Sequence, residues 1–205
     1  DGDVRFEPNR NLDHSAGDIV KLIEFTSSDF DKDISSSTVT LTIVDGDGPT
    51  LNVVPSVSLS ESLLADGSTP SGSPVSVTQT IISLASSDDI EKIVVEVGLF
   101  NTSGVLKSDG LELSLREEPA GSGDYIAFTT DGSGVEKVIF TLEFDNTNPS
   151  EYTFTLLESL DHVDGLGNND LSFDLSVYAQ DTDGDISPSK PLSVTISDDV
   201  QLMQS

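Results

Sequence analysis

Ser37-Thr38-Val39-Thr40-Leu41-Thr42-Ile43-Val44 decides the fold class of this chain. Apolar and hydroxyl side chains alternate along it, which puts Val39, Leu41 and Ile43 on one face and Thr38, Thr40 and Thr42 on the other. A β-strand points successive side chains to opposite faces. One apolar and one polar face mark a half-buried strand of an antiparallel sheet. The run ends in an acid, Asp45, and it recurs as Leu192-Ser193-Val194-Thr195-Ile196-Ser197-Asp198.

The same alternation predicts strands over Val4 to Glu7, Ile19 to Thr26, Val75 to Ala85, Lys92 to Val97, Leu111 to Leu115 and Tyr125 to Thr129. It continues over Glu136 to Phe144, Glu151 to Leu157, Leu171 to Ala179 and Pro191 to Ile196. Turn residues fill the gaps, as in Ala65-Asp66-Gly67-Ser68, Gly121-Ser122-Gly123-Asp124 and Asp131-Gly132-Ser133-Gly134. A single helical turn is expected near Ser87 to Glu91. Many short strands separated by turn signals define an all-β, antiparallel β-sandwich. Phe140, Phe144, Tyr152, Phe154 and Phe173 belong to its core.

Upstream of each closing run lies a duplicated acidic stretch. Asp29-Phe30-Asp31-Lys32-Asp33-Ile34-Ser35 returns as Asp181-Thr182-Asp183-Gly184-Asp185-Ile186-Ser187, and each copy follows a Leu-Asp-His triplet, Leu12-Asp13-His14 and Leu160-Asp161-His162. The second copy carries an insertion between Val163 and Asp170. The repeat sets the expected organisation. Residues 1–48 form a partial β unit that matches the C-terminal part of a repeat and packs on the rest or on a partner. Residues 49–205 form a complete sandwich, with Asp45-Gly46-Asp47-Gly48-Pro49 as the hinge.

Alternate aspartates are oxygen ligands for a hard cation, and calcium is the expected one. On an extended strand such residues stand about 6–7 Å apart, whereas calcium needs its oxygens about 2.3–2.6 Å away. The segment must therefore curl, which Gly184 permits. An EF-hand is excluded, because Ile186 and Leu192 stand where the loop needs Gly and Glu. The expected calcium ligands are Asp181, Asp183 and Asp185; Asp29, Asp31 and Asp33, where the Lys32 ammonium competes with a cation; Asp45 and Asp47 at the hinge; and Asp198 and Asp199 at the corresponding end. Asp161 and Asp164, also expected metal ligands, open a further oxygen-rich loop with Asn168, Asn169 and Asp170, a candidate ion or ligand loop. His14 and His162 are expected to hydrogen-bond a turn.

Composition narrows the function. The 205 residues carry 37 acids against 9 bases, a net charge of -28. A compact chain of that charge repels itself, and bound divalent cations relieve the repulsion. A strong negative field opposes nucleic-acid phosphate and an anionic membrane surface, and no apolar run approaches a membrane span. No cysteine is present to form a disulfide, which leaves metal as the staple of an extracellular protein. No export leader is visible at the start of the chain, as expected of an excised fragment or of a protein whose export signal lies elsewhere. No serine or cysteine nucleophile stands in a recognisable context, and no enzyme is expected.

The combination of Leu-Asp-His, a strand, Asp-x-Asp-x-Asp and a Thr-rich strand ending in Asp-Asp or Asp-Gly-Asp resembles a repeat module of giant RTX adhesins exported by bacterial type I secretion. Leu160-Asp161-His162-Val163-Asp164-Gly165 followed by Asp181-Thr182-Asp183-Gly184-Asp185 is close to that pattern. The resemblance covers roughly Pro55 to Asp199 in full and Asp1 to Asp47 in part. It implies immunoglobulin-like sandwiches in calcium-rigidified arrays at the bacterial surface, in contact with neighbouring adhesin domains and, near the distal end, with host peptide or glycan ligands. The Gly-Gly-x-Gly-x-Asp nonapeptide of calcium β-rolls is absent. Two roles remain open: a calcium-dependent ligand-binding module for attachment and biofilm formation, or a spacer rigidified by calcium.

Overall fold

In a computed structural model, residues 5–7, 12, 14, 16–86, 88–145, 147–163 and 169–199 are described. Among these residues fifteen strands follow in chain order: β1 (Ile19–Ser28), β2 (Ile34–Ile43), β3 (Thr50–Val53), β4 (Val57–Ser60), β5 (Val75–Thr80), β6 (Ile82–Ala85), β7 (Ile90–Val95), β8 (Lys107–Ser108), β9 (Leu111–Glu112), β10 (Ser114–Glu117), β11 (Tyr125–Thr130), β12 (Glu136–Phe144), β13 (Glu151–Leu156), β14 (Asp170–Asp181) and β15 (Lys190–Ser197). Two single 3-10 turns, Glu61–Leu63 and Val97–Leu99, are the only helical elements among the described residues, and neither is long or apolar enough to cross a membrane. The protein is all-β.

Two sheets enclose one core. The larger runs β10-β11-β12-β13-β5 and is antiparallel throughout; the smaller runs β4-β15-β14-β7, with β4 parallel to β15. Their apolar faces meet. Phe140 of β12 stacks on Phe154 of β13 at 4.8 Å and on Phe173 of β14 at 5.7 Å. Leu175, Val177, Leu192, Val194 and Ile196 lie on the opposing side, all buried. Offset ring pairs at such distances add to the gain from burial alone. The Tyr125 hydroxyl accepts from the Val95 amide at 3.1 Å, a buried bond from β11 to β7. Tyr152 donates to the Pro55 carbonyl and anchors the linker between β3 and β4; burial pushes its phenol up to about 12. All five aromatics expected in the core lie in it or against it.

The structure corrects three strand expectations and one helical one. The run from Val75 to Ala85 is not one strand. It breaks at buried Ile81, where β5 leaves β13 and β6 joins β3. The run from Leu111 to Leu115 divides into β9, paired with β8, and β10, paired with β11. Of the helical turn expected near Ser87 to Glu91, Ser87 lies outside the described residues and the rest form no helix: β7 begins at Ile90, and the Ser86 hydroxyl accepts from the Asp88 amide. Arg5, Phe6 and Glu7 lie in no strand.

β1 and β2 pair with each other in a two-stranded ribbon and with no further strand among the described residues. The linker that follows runs against the sandwich. Pro49 is buried, and a Cβ placed on Gly48 would lie 3.4 Å from Asp185 Cβ and Oδ2.

Candidate metal centres

The two acidic repeats fold into the same turn. At the first, the Asp29 amide donates to the Asp33 carbonyl, the Lys32 amide to the Asp29 carbonyl, and the Asp33 amide to Asp29 Oδ1. At the second, the Asp181, Gly184 and Asp185 amides repeat the scheme on Asp185 O, Asp181 O and Asp181 Oδ1. The fourth residue takes the left-handed region in both, Lys32 at φ 72° and Gly184 at φ 103°. This is a type I turn closed by a left-handed residue. Asp131-Gly132-Ser133-Gly134-Val135 makes the identical three bonds with Gly134 at φ 83°. That third turn has a single acid. The aspartate that opens each turn is therefore explained by backbone chemistry, and the acids two and four positions later are not.

In the second repeat those extra acids part company. Asp181, at the end of β14 and only 1 % exposed, joins Asp183 and Asp88. One carboxylate oxygen from each lies within 4.8 Å of the others. Ser86 donates to Asp181 Oδ2 at 3.0 Å. Asp183 Oδ1 is buried and meets no hydrogen-bond donor. The hydrogen bond to Asp181, with burial and the Asp181 and Asp88 charges, pushes the Asp183 carboxyl up to about 6. For Asp181, burial acts upward, but the bonds from Asp183, Ser86 and the backbone outweigh it and hold the group below the usual carboxylate range. Three acids crowded this closely, with a buried Asp183 oxygen that meets no donor, fit a site for a hard cation. Asp185 is not in this cluster; it faces the Gly48 linker. Asp88 was not foreseen. Its only signal is the acidic pair Asp88-Asp89 in front of a strand.

Asp29, Asp31 and Asp33 also bring one oxygen each within 4.8 Å, but all three are exposed. The hydrogen bond with Asp31, followed by that from the Asp33 amide, lowers the Asp29 carboxyl.

A third cluster mixes ligand types. Glu61 from the first 3-10 turn, His162 from the second Leu-Asp-His and Asp198 at the end of β15 each offer one atom within 4.8 Å of the others. Glu61 Oε1 accepts from the Leu160 amide at 2.7 Å, and burial pushes its carboxyl up despite that bond and the nearby His162. A polar cavity of about 240 Å³ adjoins it, lined by Asp66, Asp198 and Asp199 among others. The His162 side chain does not hydrogen-bond a turn as expected: both its ring nitrogens are buried without a hydrogen-bond partner, and so is Nδ1 of His14.

The remaining candidates hold loops. Asp45 accepts from the Gly46 amide, its own amide donates to Asp18, and its Oδ1 lies 3.8 Å from His14 Nδ1. Asp47 is exposed. Asp161 accepts from the Gly110 amide. Asp199 accepts from the amide and hydroxyl of Ser68. Asn169 accepts from the Asp198 amide through its carbonyl, and Asp170 from the Ser197 hydroxyl. Asp164 and Asn168 lie outside the described residues.

Comparison with known proteins returned no match: no family model, curated protein or solved structure is significantly similar to this chain.

Proposed function

We propose that this chain is a calcium-dependent module of a bacterial cell-surface adhesin, acting extracellularly in or next to the ligand-binding region. The observation that carries the calcium part is the Asp88–Asp181–Asp183 cluster with its buried, donorless Asp183 Oδ1. A cation bound there neutralises acids that otherwise compete for a proton, and it joins the β14 turn to the loop that opens β7. Strand order supports an immunoglobulin-like assignment. The neighbours β12-β13-β5 and β15-β14-β7 correspond to D-E-B and G-F-C of that fold, with β10 and β11 added. The adhesin part rests on the sequence resemblance.

A second reading, a purely structural extender, is favoured by the recurrence of the turn at Asp29 and Asp181. A module that repeats its ion-binding turn is suited to tandem stacking.

Calorimetry in calcium against excess EGTA tests both readings. Calcium held at about 100 times its dissociation constant adds about 2.7 kcal/mol at one site, so the midpoint is expected to rise clearly with calcium. An unchanged midpoint rejects calcium dependence and both roles with it. Binding of the calcium-loaded protein to host-surface peptide and glycan arrays then separates ligand-binding module from extender.

A further inference from the structure

We infer that Glu61, His162 and Asp198 form a binding site for a divalent transition-metal ion of the zinc class, distinct from the oxygen-only aspartate clusters. This site is independent of calcium binding elsewhere in the chain.

His162 is the unusual member. Its side chain is 6 % exposed and faces Glu61, whose side chain is 5 % exposed. A buried imidazole ordinarily satisfies both nitrogens. Here Nδ1 meets no partner, and Nε2 sits 3.2 Å from Glu61 Oε1 but off the line of a hydrogen bond. A proton shared between the two groups would draw them into line. A metal bound by both would not, because each donor then points at the ion rather than at the other. Zinc holds nitrogen and oxygen donors at about 2.0–2.2 Å, which sets the edge of a tetrahedral site near 3.3–3.6 Å. The Glu61–His162 spacing already lies close to that edge.

Donor chemistry chooses the ion. Calcium and magnesium take oxygen ligands; imidazole suits zinc, copper, iron and nickel. Two carboxylates and a neutral imidazole balance a dication. The polar cavity beside the site leaves a place for a water molecule as fourth ligand, as in open zinc sites. The histidine–aspartate approach also recurs at His14 and Asp45, at the end of β2. Among the described residues no glutamate joins that pair, which limits the full ligand set to the sandwich.

Zinc chloride titrated into the isotopically labelled chain in saturating calcium tests the site, because calcium then occupies oxygen-only clusters. The chain has 2 histidines, so His14 is an internal control. The His162 ring resonances are expected to shift at stoichiometric zinc, with a rise in midpoint beyond that given by calcium. Loss of an outer-shell partner costs about 10–100-fold in metal affinity, so His162→Gln is expected to weaken zinc binding by at least about 100-fold and leave the calcium response intact. Asp198→Asn serves if His162→Gln fails to fold. Unmoved His162 resonances, or undiminished zinc affinity in either folded variant, overturn the inference. Failure of the calcium response alone leaves this readout standing.

Discussion

Asp131 and Asp181 open the same turn in different company, and the comparison separates structural acids from ligand acids. Asp131 is held below the usual carboxylate range by the Val135 and Ser133 amides. Asp131→Ala is therefore expected to lower the unfolding midpoint equally in calcium and in EGTA; a calcium-dependent loss would refute the division. Asp183 is the opposite case. A carboxyl raised in the folded state favours folding while protonated. Its contribution is complete below the ordinary value of 3.8 and is lost as pH rises through about 6. In EGTA, Asp183→Asn is expected to unfold at a higher temperature than the parent at neutral pH, to lose this part of the pH dependence, and to gain less from calcium. A variant less stable than its parent in EGTA would show that Asp183 is a structural acceptor.

At the scale of elements, the ribbon β1–β2 and the pair β14–β15 are two fates of one sequence pattern. Leu192, Val194 and Ile196 lie in the core, whereas Val39, Leu41 and Ile43, their equivalents in the repeat, lie on a ribbon that pairs with no further strand among the described residues. A lone two-stranded ribbon is marginally stable in water. Truncation should follow burial. Phe154→Ala, at a fully buried site, is expected to cost about 3–5 kcal/mol. Leu22→Ala, where the side chain is 73 % exposed, is expected to stay within about 0.5 kcal/mol. Denaturant titration measures both, and a large loss at Leu22 would reveal a packing surface that covers the ribbon. The alternation over Leu171 to Ala179 and Pro191 to Ile196 was legible because both strands bury one full face. β3 and β4 were not, since each has only four residues and Pro55 interrupts the pattern between them. Glu61 was missed with β4, because its place beside His162 depends on the parallel pairing of β4 with β15. Asp88 was missed for a related reason: the loop that brings it to Asp181 is set by the pairing of β7 with β14, a long-range contact that local pattern does not encode.

For the whole molecule, a charge of -28 raises the question of whether calcium acts by occupying sites or only by screening. The two mechanisms differ in their response to monovalent salt. The screening length falls from about 30 Å at about 0.01 M to about 3 Å at about 1 M, so sodium chloride should relieve diffuse self-repulsion and raise the midpoint of the metal-free protein. It should do less for Asp88, Asp181 and Asp183, whose oxygens lie within 4.8 Å of one another around a buried atom, because such short-range repulsion is screened weakly. Calcium is accordingly expected to raise the midpoint further when added to protein already in concentrated salt, and Asp183→Asn to remove much of that increment while keeping the response to sodium chloride. If concentrated salt reproduced the whole calcium effect, the acids would act only as diffuse charge, and the later aspartates of the paired turns would owe their place to solubility rather than to an ion.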